Sequence, residues 1–168
     1  MKYELIKKIY KVRECAMQNY DYIVIGAGAA NSFAFSAAAK GYKTLIIDES
    51  YPGGTCLNRG CIPTKVLLQS ADVAHYIKTS EMYGIKSKIE SVDMSKIKQR
   101  VEDIVLFWRN RLIKALNNTP NLTFINKIAK FVSEKIIEID GEKIRGNRFV
   151  LAVGSRPIIP KIEGLDRI

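Results

Sequence analysis

The chain has 168 residues, of which 47% are apolar and 26% charged, the balance of a soluble globular protein with room for one substantial core. Its net charge of +10 comes from 27 basic and 17 acidic residues. The basic residues are spread along the chain beside acidic ones and no nucleic-acid motif is present, so nucleic acid is not an expected partner.

Residues 1–16 differ in character from the rest of the chain. Leu5, Ile6, Ile9 and Val12 fall near helical spacing among Lys2, Lys7, Lys8, Lys11 and Arg13. This basic N-terminal extension is read as a short amphipathic helix or a disordered leader, with Met17 as an alternative start. It has no apolar h-region and is no signal peptide. The longest uncharged run, residues 22–39, is interrupted by Gly26 and Gly28 and diluted by alanines. It reads as a buried strand and a buried helix, not as a membrane span.

In that run Tyr22–Ile25 is the first strand, a helix runs from about residue 30 to Lys40 and ends at Gly41, and Thr44–Ile47 is the second strand. The unit has the length of a βαβ crossover. Between strand and helix lies Gly26-Ala27-Gly28-Ala29-Ala30-Asn31, which matches G-x-G-x-x-G except at its last position. Such a turn lets a pyrophosphate approach backbone N–H groups at a helix N-terminus. Asp48, at the end of the second strand, stands where a carboxylate would accept from an adenosine ribose. Asn31 is a departure, because the third glycine serves close helix–strand packing.

Next in the chain is Gly53-Gly54-Thr55-Cys56-Leu57-Asn58-Arg59-Gly60-Cys61-Ile62-Pro63-Thr64-Lys65. Its thiols admit three uses: a redox pair, a metal site or inert burial. Metal is disfavoured because the spacing is C-x₄-C and only Cys15 and His75 remain as further ligands. Inert burial leaves the flanking glycines and Pro63 unexplained. A helix is expected from near Cys61 to Thr79, with Val66, Leu67, Ala71, Ala74 and Ile77 on its apolar side. Its N-terminus would lower a thiol pKa. His75, the sole histidine, is read as a surface or packing residue.

A second, long helix is expected after Asp93 or Ser95 as cap, with Ile97, Val101, Ile104, Trp108, Leu112 and Leu116 on one stripe and an end at Pro120. Trp108 is read as a packing anchor on that stripe. From Leu122 the period becomes two. Short strands are expected around residues 122–126, 129–133, 135–140, 142–146 and 148–154, with a hairpin turn at Asp140-Gly141 and a buried last strand.

The cysteine segment closely resembles the redox-active segment of the flavoprotein disulfide reductases, the class I pyridine nucleotide-disulfide oxidoreductases that include dihydrolipoamide dehydrogenase, glutathione reductase and mercuric reductase. The resemblance extends over about residues 20–168 and takes in the glycine turn, Asp48 and the closing "AVGSRP". Asn31 resembles the mycothione-reductase-like branch. The resemblance implies an α/β fold: a Rossmann-like FAD-binding domain of parallel sheet and helices with a small antiparallel β-meander, incomplete relative to the family. It implies FAD as cofactor and NAD(P)H as electron source in the complete enzyme. Cys61 would be the thiol nearest the flavin, Cys56 the interchange thiol, and Lys65 a neighbour of the ring. Gly26, Gly28, Asn31, Asp48, Gly54, Thr55, Ala129, Gly154 and Ser155 would bind the cofactor, and no metal is implied.

The resemblance also implies parts that these residues do not contain: a nicotinamide-binding domain and a dimerisation domain carrying a catalytic histidine. The chain is therefore expected to be an N-terminal piece, cut short, encoded as a split gene, or completed by a C-terminal polypeptide. Such a piece would not oxidise NAD(P)H alone and would have an open sheet edge. The alternative is a stand-alone flavin-binding or thiol-exchange module. A disulfide substrate, small-molecule or lipoyl, a homodimer for the complete enzyme, no membrane partner and a cytoplasmic location complete the expectation.

Overall fold

The computed structural model describes residues 17–165. The basic extension and Cys15 lie outside the described residues. Six strands form one mixed sheet in the order β3-β2-β1-β6-β5-β4. They are β1 (Gln18–Ile25), β2 (Thr44–Ile47), β3 (Leu122–Ile125), β4 (Lys130–Ser133), β5 (Ile136–Ile139) and β6 (Glu142–Leu151). Four α-helices are interleaved: α1 (Asn31–Ala39), α2 (Gly54–Asn58), α3 (Cys61–Thr79) and α4 (Met94–Asn118).

β1 is the centre of the parallel part. It pairs with β2 from Tyr22↔Thr44 to Ile25↔Ile47 and with β6 from Gln18↔Ile144 to Ile25↔Leu151. A strand hydrogen-bonded on both sides and covered on both faces must be apolar at successive positions. Ile23 and Val24 accordingly have no exposed surface. Side chains alternate across the sheet. Val24 and Ile46 point into a cluster with Ala34 and Ala38 of α1 and Leu116 of α4. Ile23, Leu45 and Ile47 point to the opposite cluster, with Ile137 and Ile139 of β5. The antiparallel β4–β5–β6 end thus covers the face that the helices leave open. Each such fully buried side chain contributes about 1.5–3 kcal/mol.

The fold expected from the sequence is present, including the hairpin turn, where Asp140 and Gly141 both have positive φ, at 50° and 85°. Asp93 caps α4, its Oδ1 accepting from the N–H of Ser95 and of Lys96 at 3.0 and 3.1 Å. Among the described residues no helix is long and apolar enough to cross a membrane.

Four local expectations need correction. β1 begins at Gln18 rather than Tyr22, because β6 offers it partners that far back. The two strands expected in residues 142–154 are one ten-residue strand, continuous through Gly146. A Cβ there would lie 2.8 Å from Ile23 Cδ1, so a side chain would have to displace Ile23 and Phe149. The end of this strand is not buried: Leu151 is 65% and Val153 72% exposed. β5 pairs with β6 only as far as Arg145, which leaves the end with β1 alone beside it. Finally, Trp108 is 48% exposed and stacks edge-on with Phe107. The inward side of α4 takes in Ile97, Val101, Ile104, Leu112 and Leu116 as expected, with Val105 and Arg109 turned inward in the place of Trp108.

Candidate functional site

The carboxyl ends of β1, β2 and β6 open into a cleft of about 690 Å³. It lies where the strand order reverses about β1, since the chain crosses to β2 on one side and returns as β6 on the other. In open α/β sheets such a switch point leaves a crevice for ligands. The glycine turn forms its floor. Gly26 has φ +105°, and a Cβ there would stand 2.1 Å from the carbonyl oxygen of Ala152. The turn is therefore wedged against the end of β6 with no room for a side chain.

The cysteine segment closes over the turn. Gly53 N–H donates to Ala27 O at 2.6 Å. Gly54, with φ +57°, comes so near that a Cβ would meet Gly28 Cα at 2.8 Å. Two backbones thus touch at Gly28 and Gly54, and both glycines line the cleft. Asp48 ties the turn to the loop after β2 from the side. Its Oδ2 accepts from Ala27 N–H at 2.7 Å and its Oδ1 from Ser50 N–H at 2.8 Å. Each carboxylate oxygen retains a lone pair, so Asp48 can hold the turn and still accept from a ligand hydroxyl.

Thr55, Cys56, Ala129 and Gly154 also line the cleft. Asn31, Cys61, Lys65 and Ser155 are not on its wall. Asn31 sits at the start of α1 and turns back to the loop, its Nδ2 donating to Ala27 O at 2.7 Å. Its Oδ1 is buried without a donor. The side chain therefore ties the start of α1 to the glycine turn.

Cys56 is carried by α2, a five-residue helix not expected from the sequence, and Cys61 opens α3. Both are exposed free thiols. Cys56 is held above the usual thiol range, first by the hydrogen bond it gives the Cys61 side chain, then by partial desolvation and the charge of Cys61. The backbone N–H of Cys61 and the ammonium of Lys65 oppose this by favouring the thiolate. The expected lowering by the α3 N-terminus thus acts on Cys56 but is outweighed by its neighbour thiol.

Several wall residues were given no role by the sequence reading. Tyr51, Asn58 and Arg59 line the cleft beside the cysteines, and Lys127 sits near Ala129. Asn126 donates through Nδ2 to Asp48 O and Ser50 O at 2.7 and 2.6 Å, pinning the loop after β2. Only contacts across 76 or more residues reveal that role. His75 is exposed on α3. Among the described residues no group of three or more His, Cys, Asp or Glu side chains is placed to hold a metal.

Residues 20–168 match the family model for pyridine nucleotide-disulphide oxidoreductase. The chain belongs to that family. It is 35% identical over 151 residues to mercuric reductase of Bacillus cereus, covering 89% of this chain and 24% of that protein. It is 36% identical over 150 residues to dihydrolipoyl dehydrogenase of Thermus scotoductus, covering 84% of this chain and 31% of that one. Its backbone superposes with a TM-score of 0.72 on the HOCl-induced flavoprotein disulfide reductase RclA of Escherichia coli, at 28% identity, over 88% of this chain and 31% of RclA. The chain therefore spans about a quarter to a third of the length of these relatives.

Proposed function

We propose that this chain supplies the FAD-binding and dithiol part of a flavoprotein disulfide oxidoreductase. The observation that carries the reading is the contact of Gly28 with Gly54, which joins a dinucleotide turn and a cysteine pair in the wall of one cleft. The fit to FAD rests on that cradle: backbone without side chains at Gly26, Gly28 and Gly54, and a carboxylate with free lone pairs at Asp48. Gly26, Gly28, Gly54, Thr55, Ala129 and Gly154 would hold the cofactor, with Asp48 on its ribose. Asn31 would act by holding the turn, and Lys65 and Ser155 from just outside the wall. Bound there, the flavin supplies two-electron redox chemistry beside the cysteines.

The chain's own chemistry is thiol–disulfide exchange. The Cys56 thiolate attacks a substrate disulfide and expels one thiolate, which takes up a proton. Cys61 then displaces the second thiol from the mixed disulfide, leaving Cys56–Cys61 oxidised. Two electrons and two protons pass to the substrate. Lys65 assists by favouring the thiolate. Reduction of the pair through NAD(P)H, the homodimer and the small-molecule or lipoyl disulfide belong to the complete enzyme. A C-terminal polypeptide would bring the domains these residues lack.

The test is reconstitution. Purified chain is mixed with FAD, desalted and read by visible absorption, then reduced with dithionite and scanned again. Retention of about one flavin per chain supports the reading, and a colourless protein that is folded by circular dichroism refutes it. No NAD(P)H oxidation is expected from this chain alone.

A further inference from the structure

The loop that carries Cys56 is gripped from 51 residues away. Asn58 ends α2, two residues past Cys56. Its Nδ2 faces three carbonyl oxygens, those of Tyr51 at 3.3 Å, Pro52 at 3.2 Å and Gly54 at 2.9 Å. Its Oδ1 accepts from Arg109 Nε at 2.9 Å. The same guanidinium lies 3.9 Å from the centre of the Tyr51 ring. One arginine from the middle of α4 therefore holds both ends of the segment 51–58. It takes the place on the α4 seam where an apolar side chain is expected, between Val105 and Leu112.

A five-residue helix has no stability of its own. Leu57 is the one buried residue of α2. The loop before it is fixed to the glycine turn through Gly53. What remains to fix the Cys56 end is the Asn58–Arg109–Tyr51 cluster. Guanidinium is suited to this because it stacks flat on a ring while donating in its plane.

We propose that Arg109, Asn58 and Tyr51 form a latch that positions Cys56 against Cys61 and thereby sets how readily the pair closes to a disulfide. The inference rests on the redox reading of the two cysteines and adds positioning residues to it. Closure removes two protons and two electrons from the thiols. With glutathione disulfide as oxidant, the electrons and protons end on two glutathione thiols. The equilibrium constant depends on the effective concentration of one thiol at the other, which falls when α2 is free to move.

The experiment uses the full chain with Cys15→Ser, so that only the pair is read. The protein is equilibrated across glutathione redox buffers, quenched by alkylation and weighed by mass spectrometry. Arg109→Ala lowers the constant for closure roughly three- to tenfold, the scale of one charged hydrogen bond and one ring contact. Arg109→Lys stays near the alanine variant, since an ammonium cannot stack and donate together. Tyr51→Leu shifts the constant the same way, and Tyr51→Phe less, because it keeps the ring. The pH profile of Cys56 alkylation moves down in Arg109→Ala as the bond to Cys61 loosens. A folded Arg109→Ala protein with an unchanged constant and pH profile overturns the latch. If Arg109→Ala does not fold, Tyr51→Leu carries the test, and loss of fold in both makes the cluster a folding element and overturns it as well. A Cys15→Ser parent that never forms the Cys56–Cys61 bond refutes the redox reading itself, a failure visible before any latch variant is made.

Discussion

The sheet and the α3–α4 hairpin are built to different standards. In the sheet, Ile23, Leu45 and Ile46 are fully enclosed, with helices against one face and the β-meander against the other. In α3 no residue is buried, and Leu67, Leu68, Val73 and Tyr76 are 47–64% exposed. α3 packs on α4, with Arg100 Nη1 donating to Val66 O at 3.0 Å, and near its end Ile77 O accepts from Ser87 Oγ at 2.9 Å. The sheet, with Leu116 of α4 packed on it, carries the fold and fixes the glycine turn, while α3 is the loosely held arm of the hairpin. The two thiols sit at the joint, Cys56 over the rigid turn and Cys61 at the first residue of the loose helix. Their geometry depends on whatever ties one region to the other.

The contrast is broken most directly by truncating one residue in each region. Ile46→Ala should cost about 2–5 kcal/mol, the range for losing a buried aliphatic side chain that nothing refills. Val73→Ala should cost no more than about 0.5 kcal/mol, as for an exposed position without a special role. Urea unfolding of both variants measures the difference. Equal costs would mean that the hairpin is as well packed as the sheet.

Much of the rigid region was legible in the sequence because its signals are local. Continuous apolar runs marked the parallel strands, Gly26 and Gly28 the turn, and Asp140-Gly141 the hairpin. The hairpin helices were equally legible as helices, down to the Asp93 cap. What could not be read is the middle of the α4 stripe, where Val105 and Arg109 face inward and Trp108 does not. Packing against the 51–58 loop decides it, and that contact spans 51 residues. The same limit hid Asn126, Tyr51 and Asn58. It also hid the bond of the Asn31 side chain to Ala27 O.

A smaller effect sharpens the comparison within the hairpin. Asp93→Ala removes the acceptor for two N–H groups in the first turn of α4 and should cost about 1 kcal/mol. The exposed Lys96–Asp93 pair at 3.7 Å adds little. If the hairpin opens separately from the sheet, hydrogen exchange should quicken in α4's first turns while the amides of β1 and β2 keep their protection. Uniform quickening across both regions would show one cooperative unit instead.

The smallest effect is read at the joint, as a shift in pH and not in stability. The Cys56 thiol is held up mainly by the hydrogen bond to Cys61, so it keeps its proton to higher pH than an ordinary thiol. A raised folded-state pKa favours the protonated form, and whatever that contributes to the folded state is present below the ordinary thiol value and lost as pH rises through the raised one. Cys61→Ala removes the largest cause and should move the midpoint of Cys56 alkylation down, which speeds iodoacetamide reaction at mildly alkaline pH. Lys65→Ala removes an opposing charge and should move it up, slowing the reaction at the same pH. The two variants must shift in opposite directions. If Cys61→Ala moved the midpoint up instead, the neighbour thiol would not be what holds the proton on Cys56, and the helix N-terminus of α3 would regain the role that the sequence first suggested for it.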